Sequence, residues 1–267
     1  MTIPYEERGS GRPVVFVHGL LVAGNLWRKV LPNLPDDVRA IAPTWPLGAH
    51  EEPMPPDADL TPLGLARVVA DFLEEHDLRD VVLVGNDTGG AVVQITAAHH
   101  PDRIGALVLT PCDAYDNFLP LMFRPMQWLA RVPGSGALIL RSLQVRQLRR
   151  LPNTLGWLSK RPIPDDVIDG WIAPGLRSAG VRRDLVKVLR GIHPAFLHSA
   201  MERLRTFDKP VTLAWAREDK VFKPEYAERL ANDIPGARIE WIDDSYTFVP
   251  EDQPAAVARI VAAAAGA

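Results

Sequence analysis

The sequence predicts an α/β protein in which helices flank a mostly parallel sheet and a helical segment interrupts the chain. Short apolar runs rich in β-branched residues alternate with longer amphipathic stretches, as in parallel sheets covered by helices. This strand pattern is lost between 113 and 206 and resumes afterwards, to the end of the 267 residues. We therefore expect one core, 1–112 with 207–267, and a helical lid inserted at 113–206.

The first part of the core contains four predicted strands and three predicted helices. The strands are Val14–Val17, Val38–Ala42, Val81–Val84 and Ile104–Leu109. The helices are Asn25–Leu34, a stretch from Thr61 to about Asp77, and Ala91–His99. Thr61 marks the start of the second helix, because Thr is a favoured N-cap residue and the following Pro62 fits the first helical position.

The remaining elements follow the same patterns. Helical pieces are expected in the lid, among them Ala137–Leu148 and Asp184–Leu189. The core then resumes with two strands and two helices: Val211–Trp215, Glu225–Ala231, Arg238–Ile242 and Ala255–Ala262. No repeat and no long linker interrupts this order.

Composition excludes several classes of protein. The single cysteine, Cys112, excludes an internal disulfide and is typical of a reducing compartment. No apolar run reaches the ~18 residues of a membrane span, and the N-terminal sequence lacks the pattern of a signal peptide. We expect a cytoplasmic protein that binds no membrane.

Charge is unevenly distributed along the chain. The net charge is −3, but 113–206 carries 15 Lys and Arg against seven Asp and Glu. Such a segment either binds anions, nucleic acid included, or presents ordinary solvated helix faces. No nucleic-acid-binding motif accompanies the charge, so we expect no nucleic-acid partner.

The lid also holds apolar aromatic and Met side chains, which we interpret as lid core or pocket wall: Phe118, Met122, Phe123, Met126, Trp128, Trp157 and Trp171.

A strand, a Gly-x-Asp-x-Gly turn and an apolar helix follow one another at residues 81–99. Gly85, Asp87 and Gly89 occupy the positions of a nucleophile elbow, a sharp turn that exposes a reactive side chain at the end of a strand. The structural alternative is that Asp87 only caps the helix. The strand before the turn and the buried helix after it favour the elbow.

The element order, the His18-Gly19 pair after the Val14–Val17 strand, and the elbow resemble the α/β-hydrolase superfamily. An Asp at the elbow is similar to the branch of haloalkane dehalogenases and epoxide hydrolases. The resemblance covers nearly the whole core, whereas the lid corresponds only as a helical insertion.

The resemblance implies a two-step reaction. The Asp87 carboxylate would attack an sp3 carbon to form an ester, which a His-activated water would then hydrolyse. A second carboxylate would orient that His; Asp219, after the Val211–Trp215 strand, matches its position, and Asp113 is the alternative. Backbone N–H groups of Leu20 and Thr88 would form the oxyanion hole.

The residue at the position of the general base departs from the family pattern. After the last strand, the usual histidine position is occupied by Thr247, although Phe248, Pro250 and Glu251 still fit the pattern. A Thr hydroxyl cannot act as a general base near neutral pH, so the triad is incomplete. Candidate substitute bases are His50 in the loop after the Val38–Ala42 strand and His193 and His198 in the lid.

The substrate cues of both families are also missing. Thr88 follows the nucleophile where dehalogenases usually have a halide-binding Trp, and Leu20 stands where a second halide donor is common. Epoxide hydrolases use two lid tyrosines, whereas this lid has only Tyr115.

Three hypotheses therefore stay open. The first is a hydrolase with an Asp nucleophile and an incomplete triad, acting on a small apolar or weakly anionic substrate. The second is a lyase, isomerase or cyclase in which Asp87 transfers protons, and the third is a catalytically silent binding protein. No metal-ligand cluster and no phosphate-binding glycine loop is present, so we expect no metal and no cofactor.

Overall fold

A computed structural model describes residues 2–267, and within these residues seven strands form a single sheet. The strands are β1 (Tyr5–Arg8), β2 (Arg12–Val17), β3 (Val38–Pro43), β4 (Val81–Asp87), β5 (Ile104–Cys112), β6 (Val211–Ala216) and β7 (Arg238–Ile242). Their order is β1-β3-β2-β4-β5-β6-β7, and β1 alone pairs antiparallel to its neighbour. The predicted mostly parallel sheet is confirmed.

Eleven α-helices lie in the described chain. They are α1 (Pro62–Glu75), α2 (Thr88–His99), α3 (Arg124–Leu129), α4 (Ser135–Gln144), α5 (Arg146–Arg149), α6 (Asp165–Arg177), α7 (Ala179–Gly191), α8 (Pro194–Leu204), α9 (Pro224–Asp233), α10 (Val249–Asp252) and α11 (Pro254–Ala265). Helix α1 begins as predicted, with the Thr61 hydroxyl accepting a hydrogen bond from the Gly64 N–H.

Two elements near the N-terminal end differ from the sequence prediction. Asn25–Leu34 is not an α-helix but two short 3-10 turns, Gly24–Trp27 and Leu31–Asn33. Pro32 lies inside the predicted span, where a proline removes a backbone donor and clashes with the preceding turn. Strand β1 was not predicted, because its residues are all exposed and show no apolar alternation.

The inserted segment is helical, but its helices are more broken than its sequence pattern predicted. The predicted helix Ala137–Leu148 is divided into α4 and α5, because Val145 has extended backbone angles. In the described residues between β5 and β6, the β-structure consists of one isolated bridge, Ala114 to Asn117. A short π-helical turn, Pro152–Gly156, follows α5.

The core lies around the central strands β2, β4 and β5. Every residue of β4 and β5 is buried, as are the first eleven of the twelve residues of α2. Continuous apolar runs of this kind are expected where helices cover both faces of a parallel sheet. The carboxyl ends of these strands point toward the inserted segment, which places any side chain at the end of β4 beneath it.

The turn between β4 and α2 is set by close backbone packing. A Cβ atom on Gly89 would lie 2.2 Å from the carbonyl oxygen of Val17 and 2.4 Å from that of His18. These contacts are backbone atoms at the end of β2, which cannot move away as a flexible side chain could. Only glycine therefore allows α2 to start this close to β2.

We predict that Gly89→Ala lowers the free energy of unfolding by about 3 kcal/mol, because the added methyl group overpacks the junction of β2 and α2. Thermal and denaturant unfolding would measure the change. Gly170→Ala is the matched control: a Cβ there meets no atom within 4 Å, and residue 170 lies inside α6. Replacing a helical glycine with alanine should raise stability by up to about 1 kcal/mol. Equal effects of the two substitutions would contradict the packing argument.

Candidate active site

Asp87 is the last residue of β4 and has a strained backbone, with φ 55° and ψ −133°. A positive φ is uncommon for a residue with a side chain, and such strain is concentrated at functional sites. Asp87 occupies the N-cap position of α2, but its side chain makes no capping hydrogen bond. The carboxylate is therefore not used to cap the helix.

The Asp87 carboxyl is buried among backbone donors and other acids. Burial and the nearby charge of Asp219 raise its pKa to about 7, although hydrogen bonding to the backbone N–H groups of Thr88 and Leu20 lowers the pKa in part. Gly19 packs directly against it, since a Cβ on Gly19 would lie 2.1 Å from Asp87 Oδ2. The structure thus places the two predicted oxyanion-hole amides, Leu20 and Thr88, at this carboxyl.

Asp219 and Thr247 meet directly. The Thr247 hydroxyl lies 2.9 Å from Oδ2 and 3.1 Å from Oδ1 of Asp219 and donates to this carboxylate. The N–H groups of Val221 and Phe222 also donate to Oδ1, both at 2.7 Å. Burial nevertheless raises the pKa of Asp219 to about 7, because its hydrogen bonds only partly offset the desolvation. The structure brings the carboxylate and the hydroxyl together as the family pattern implies for an acid and a histidine.

Asn86 connects the elbow to the loop of Thr247, which the sequence did not indicate. Its Nδ2 donates to the Thr247 carbonyl at 2.7 Å and to the Thr110 hydroxyl at 2.8 Å. Because Asn86 immediately precedes Asp87, these bonds fix Thr247 beside the elbow. The available sequence signal was a polar residue at the end of an otherwise apolar strand.

Asp113 is a third buried carboxyl near the elbow. Burial and the charge of Asp87 raise the pKa of Asp113 well above its usual range. The Thr88 hydroxyl lies close enough to lower this pKa slightly, but neither oxygen of Asp113 has a hydrogen-bond partner. Thr247 contacts Asp219 and not Asp113, which favours Asp219 as the acid.

A cavity of about 310 Å³ lies between the elbow and the inserted segment. Its only acidic lining residue among the described residues is Asp87. The other polar lining residues are Thr88, Ser142, Asn153 and Thr154. The apolar lining is Leu20, Leu21, Leu119, Met122, Phe123, Pro125, Met126, Leu129, Leu138, Ile139, Leu143, Leu155, Leu158, Ile168, Trp171 and Ile172. This is a small and mainly apolar binding site with one reactive carboxyl.

Two lid side chains that could donate to a leaving group, Trp171 and Tyr115, donate to other residues instead. The indole N–H of Trp171 donates to the side chain of Asn25, on the core side of the cavity wall. The Tyr115 hydroxyl donates to Asp233 at 2.9 Å, and Tyr115 does not line the cavity. The sequence lacks the usual donors to a halide or to an oxirane oxygen. Trp171 and Tyr115 therefore do not replace them.

The proposed substitute bases do not line the cavity. His50 is buried with its Nε2 3.3 Å from Asp184, and His193 caps α8. His198 is exposed and lies 2.8 Å from Asp116. His50, His193 and His198 are therefore absent from the lining of the cavity that contains Asp87, where a substitute base would have to lie.

His18 supports the backbone next to the site. Its Nε2 accepts a hydrogen bond from the Trp45 N–H at 2.8 Å, so its Nδ1 carries the proton and donates to the Gly19 carbonyl at 2.9 Å. Burial lowers the pKa of His18 to about 4. The ring is neutral, and both nitrogens are occupied.

A buried carboxylate joins the inserted segment to the loop of Thr247. Asp252 accepts hydrogen bonds from the N–H groups of Lys160 and Arg161 and from the Ser159 hydroxyl, all at 2.9 Å. It also accepts the N–H of Tyr246 at 3.0 Å. One side chain thereby holds both the middle of the inserted segment, at 159–161, and the turn before Thr247.

Comparison with known proteins places this geometry in a family. A model of the alpha/beta hydrolase family matches residues 14–260. A haloalkane dehalogenase of Agrobacterium fabrum is 29% identical over 267 aligned positions, covering 96% of this chain and 85% of that protein. An uncharacterised hydrolase of Bacillus subtilis is 26% identical, covering 97% and 91% respectively.

A solved structure supports the fold. The haloalkane dehalogenase of Bradyrhizobium elkani superposes with a TM-score of 0.81 at 19% identity, covering 100% of this chain and 96% of that one. The chain belongs to the α/β-hydrolase family. It is related to haloalkane dehalogenases and is a hydrolase of this family by descent.

No helix in residues 2–267 is long and apolar enough to cross a membrane.

We predict that Asp87→Asn becomes increasingly stable relative to the wild type as the pH rises. The pKa of Asp87 is raised from 3.8 to about 7, so the unfolded chain ionises first and the folded chain loses stability across that window. The Asn side chain does not ionise, so Asp87→Asn does not lose stability in this way as the pH rises. Asn also tolerates a positive φ. The difference in unfolding free energy should grow by up to about 4 kcal/mol between pH ~4 and ~7.

Asp77→Asn is the control for this pH series. A hydrogen bond from Arg103 lowers the pKa of Asp77, which is exposed, so its substitution should change stability with the opposite sign. Chemical denaturation at each pH would measure both variants. Parallel pH curves for wild type and Asp87→Asn would show that the Asp87 carboxyl is not perturbed by folding.

Proposed function

We propose that the chain is an enzyme in which Asp87 acts as a nucleophile on a small apolar substrate held in the 310 Å³ cavity. The observation that carries this proposal is the position of Asp87. It is the acidic side chain that lines the cavity in the described chain, on a strained turn and without a capping bond to α2. Residues 113–206 act as the lid that excludes water from this reaction.

The first step is a displacement at an sp3 carbon. An oxygen of the Asp87 carboxylate forms a bond to that carbon while the bond to the leaving group breaks, and the leaving group departs with the electron pair. The N–H groups of Leu20 and Thr88, near the carboxyl, orient it. The product of this step is an ester between Asp87 and the substrate, with the other fragment released as an anion.

The second step lacks its usual catalyst. Hydrolysis of the ester requires water to attack the carbonyl carbon of Asp87 and to lose a proton, and the same backbone N–H groups would stabilise the oxyanion formed. Thr247 cannot accept this proton, and its hydroxyl donates to Asp219. We therefore propose that ester formation is much faster than ester hydrolysis in this protein.

A second candidate function is proton transfer. The pKa of Asp87 of about 7 lies in the range best suited to a general acid or base at neutral pH. This favours a lyase, isomerase or cyclase in which Asp87 removes and returns a proton, and no ester forms. Ester formation distinguishes the two candidates, because only a nucleophile acquires the mass of the alkyl group.

We predict that incubation with a reactive primary alkyl bromide such as 1-bromobutane adds one butyl group to Asp87. Intact-protein mass spectrometry and peptide mapping would locate the adduct. Asp87→Asn should remain unlabelled, because an amide is a poor nucleophile. If the wild type labels no faster than Asp87→Asn across a panel of bromides and epoxides, the nucleophile proposal fails, and proton transfer or simple binding remains.

We further predict that Thr247→His restores turnover of the adduct, because an imidazole beside Asp219 can activate water. A general base of this kind contributes ~10²–10⁴-fold in rate. The measurement is loss of the butyl mass with time together with release of butanol. Thr206→His, at a threonine outside the site, is the matched control and should leave the adduct unchanged. Equal rates for both variants would exclude position 247 as the site of the missing base.

The labelling rate should depend on the pH. Only the ionised carboxylate attacks, so the rate should rise with pH and reach half its maximum near the pKa of about 7. Mass spectrometry at short times, from about pH 5 to about pH 9, would record the profile around this value. A rate already maximal at pH ~5 would mean that Asp87 has the ordinary pKa of an exposed aspartate.

A further inference from the structure

The inserted segment contains a long stretch with positive charge only. Residues 117–164, here called the basic segment, contain eight Lys and Arg and no Asp or Glu. They are Arg124, Arg131, Arg141, Arg146, Arg149, Arg150, Lys160 and Arg161. The chain outside 113–206 has the opposite balance, with more acidic than basic residues. The basic segment and the chain outside 113–206 therefore carry net charges of opposite sign.

Four of these cations are neutralised by acids from outside the basic segment. Arg146 and Arg149 pair with acids of α6, and Lys160 and Arg161 pair with acids of the core. The other four make no ion pair in residues 2–267: Arg124, Arg131, Arg141 and Arg150. Arg131, Arg141 and Arg150 are exposed. The charges of these three exposed arginines are available to an anionic partner.

Exposed apolar side chains are concentrated in the same segment. Nine large apolar residues are exposed in the described chain, and seven of them lie between 121 and 157. They are Leu121, Trp128, Val132, Leu138, Val145, Leu151 and Trp157. Exposed apolar groups of this density, among unpaired cations, indicate a surface that binds something apolar and anionic.

This surface borders the cavity. Leu138 is 58% exposed and also lines the cavity. Leu121 is exposed next to Met122, and Trp128 is exposed next to Leu129, while Met122 and Leu129 line the cavity. The cavity wall and the exposed apolar side chains therefore belong to the same short helical elements, and Leu138 is part of both.

We propose that the basic segment docks on the surface of an anionic lipid bilayer and that apolar substrates enter the cavity from it. Arginines near anionic headgroups and Trp and Leu side chains at the acyl boundary are the groups that bind such surfaces. The net acidic chain outside 113–206 is repelled by the same bilayer, which orients the basic segment toward it. Docking of this kind would revise the expectation that the protein binds no membrane. The protein would bind to the membrane surface, with no segment crossing the bilayer.

A second copy of the chain fits this surface less well. Two basic segments facing each other would bring like charges together without acids to offset them. The proposal also does not depend on the chemistry of Asp87, because docking is measured as binding and not as turnover.

The test is sedimentation of the protein with vesicles. Vesicles of equal parts phosphatidylglycerol and phosphatidylcholine should bind it, and vesicles of phosphatidylcholine alone should not. Each arginine near an anionic surface contributes about fivefold in affinity, so Arg131→Gln/Arg141→Gln/Arg150→Gln should bind about a hundredfold more weakly. The matched control, Arg8→Gln/Arg79→Gln/Arg259→Gln, removes the same charge from exposed sites of the core and should bind like the wild type.

A second pair of variants tests the apolar contribution. Trp128→Ser/Val132→Ser should weaken binding to the anionic vesicles at least tenfold, whereas Tyr5→Ser/Leu63→Ser, exposed on the core, should not. Raising the ionic strength should weaken wild-type binding, as screening predicts. Equal binding to both vesicle types, or equal binding of the basic-segment and control variants, would overturn the proposal. So would the absence of vesicle binding together with self-association that the arginine variants abolish.

Discussion

The close approach of α2 to the end of β2 determines how the site is built. Gly89 has room for no side chain against the carbonyl oxygens of Val17 and His18, and so the chain must turn sharply at Asp87. The chain that continues from β2 brings the N–H of Leu20 to the Asp87 carboxyl. The strain at Asp87 is therefore maintained by packing of the sheet and helix, and the orientation of the carboxyl follows from it.

The electrostatics of the site are determined by burial of acids without cations. Asp87, Asp113 and Asp219 take part in none of the ion pairs of residues 2–267, and burial is the largest cause of the raised pKa of each. Ionising all three carboxyls at low dielectric, with no cation among them, is unfavourable, and their raised pKa values reflect this cost. A histidine at position 247 would supply a cation when protonated; the Thr hydroxyl supplies only a neutral donor to Asp219.

Much of the fold and part of the site could be predicted from the sequence, for physical reasons. The central strands β4 and β5 are buried along their whole length, and their sequences contain continuous apolar runs. The glycine spacing of the elbow reflects close packing. The exposed strand β1 lacks such a run, and Pro32 prevented the helix expected at 25–34. Contacts over long sequence distance, such as that of Asn86 with Thr247, left no periodic signal, and the positions of the histidines depended on the tertiary fold.

The hydrogen bonds of Asp252 have a consequence for exchanging parts between members of the family. The segment 113–206 looks like an independent module along the chain, but residues 159–161 are held by a carboxylate that also fixes the turn at 245–246. A graft whose backbone does not present these donors to Asp252 would lose this shared anchor and disturb the loop of Thr247. Chimeras and recombined libraries should therefore treat 113–206 and 245–252 as one inherited unit, with both crossovers placed outside the pair.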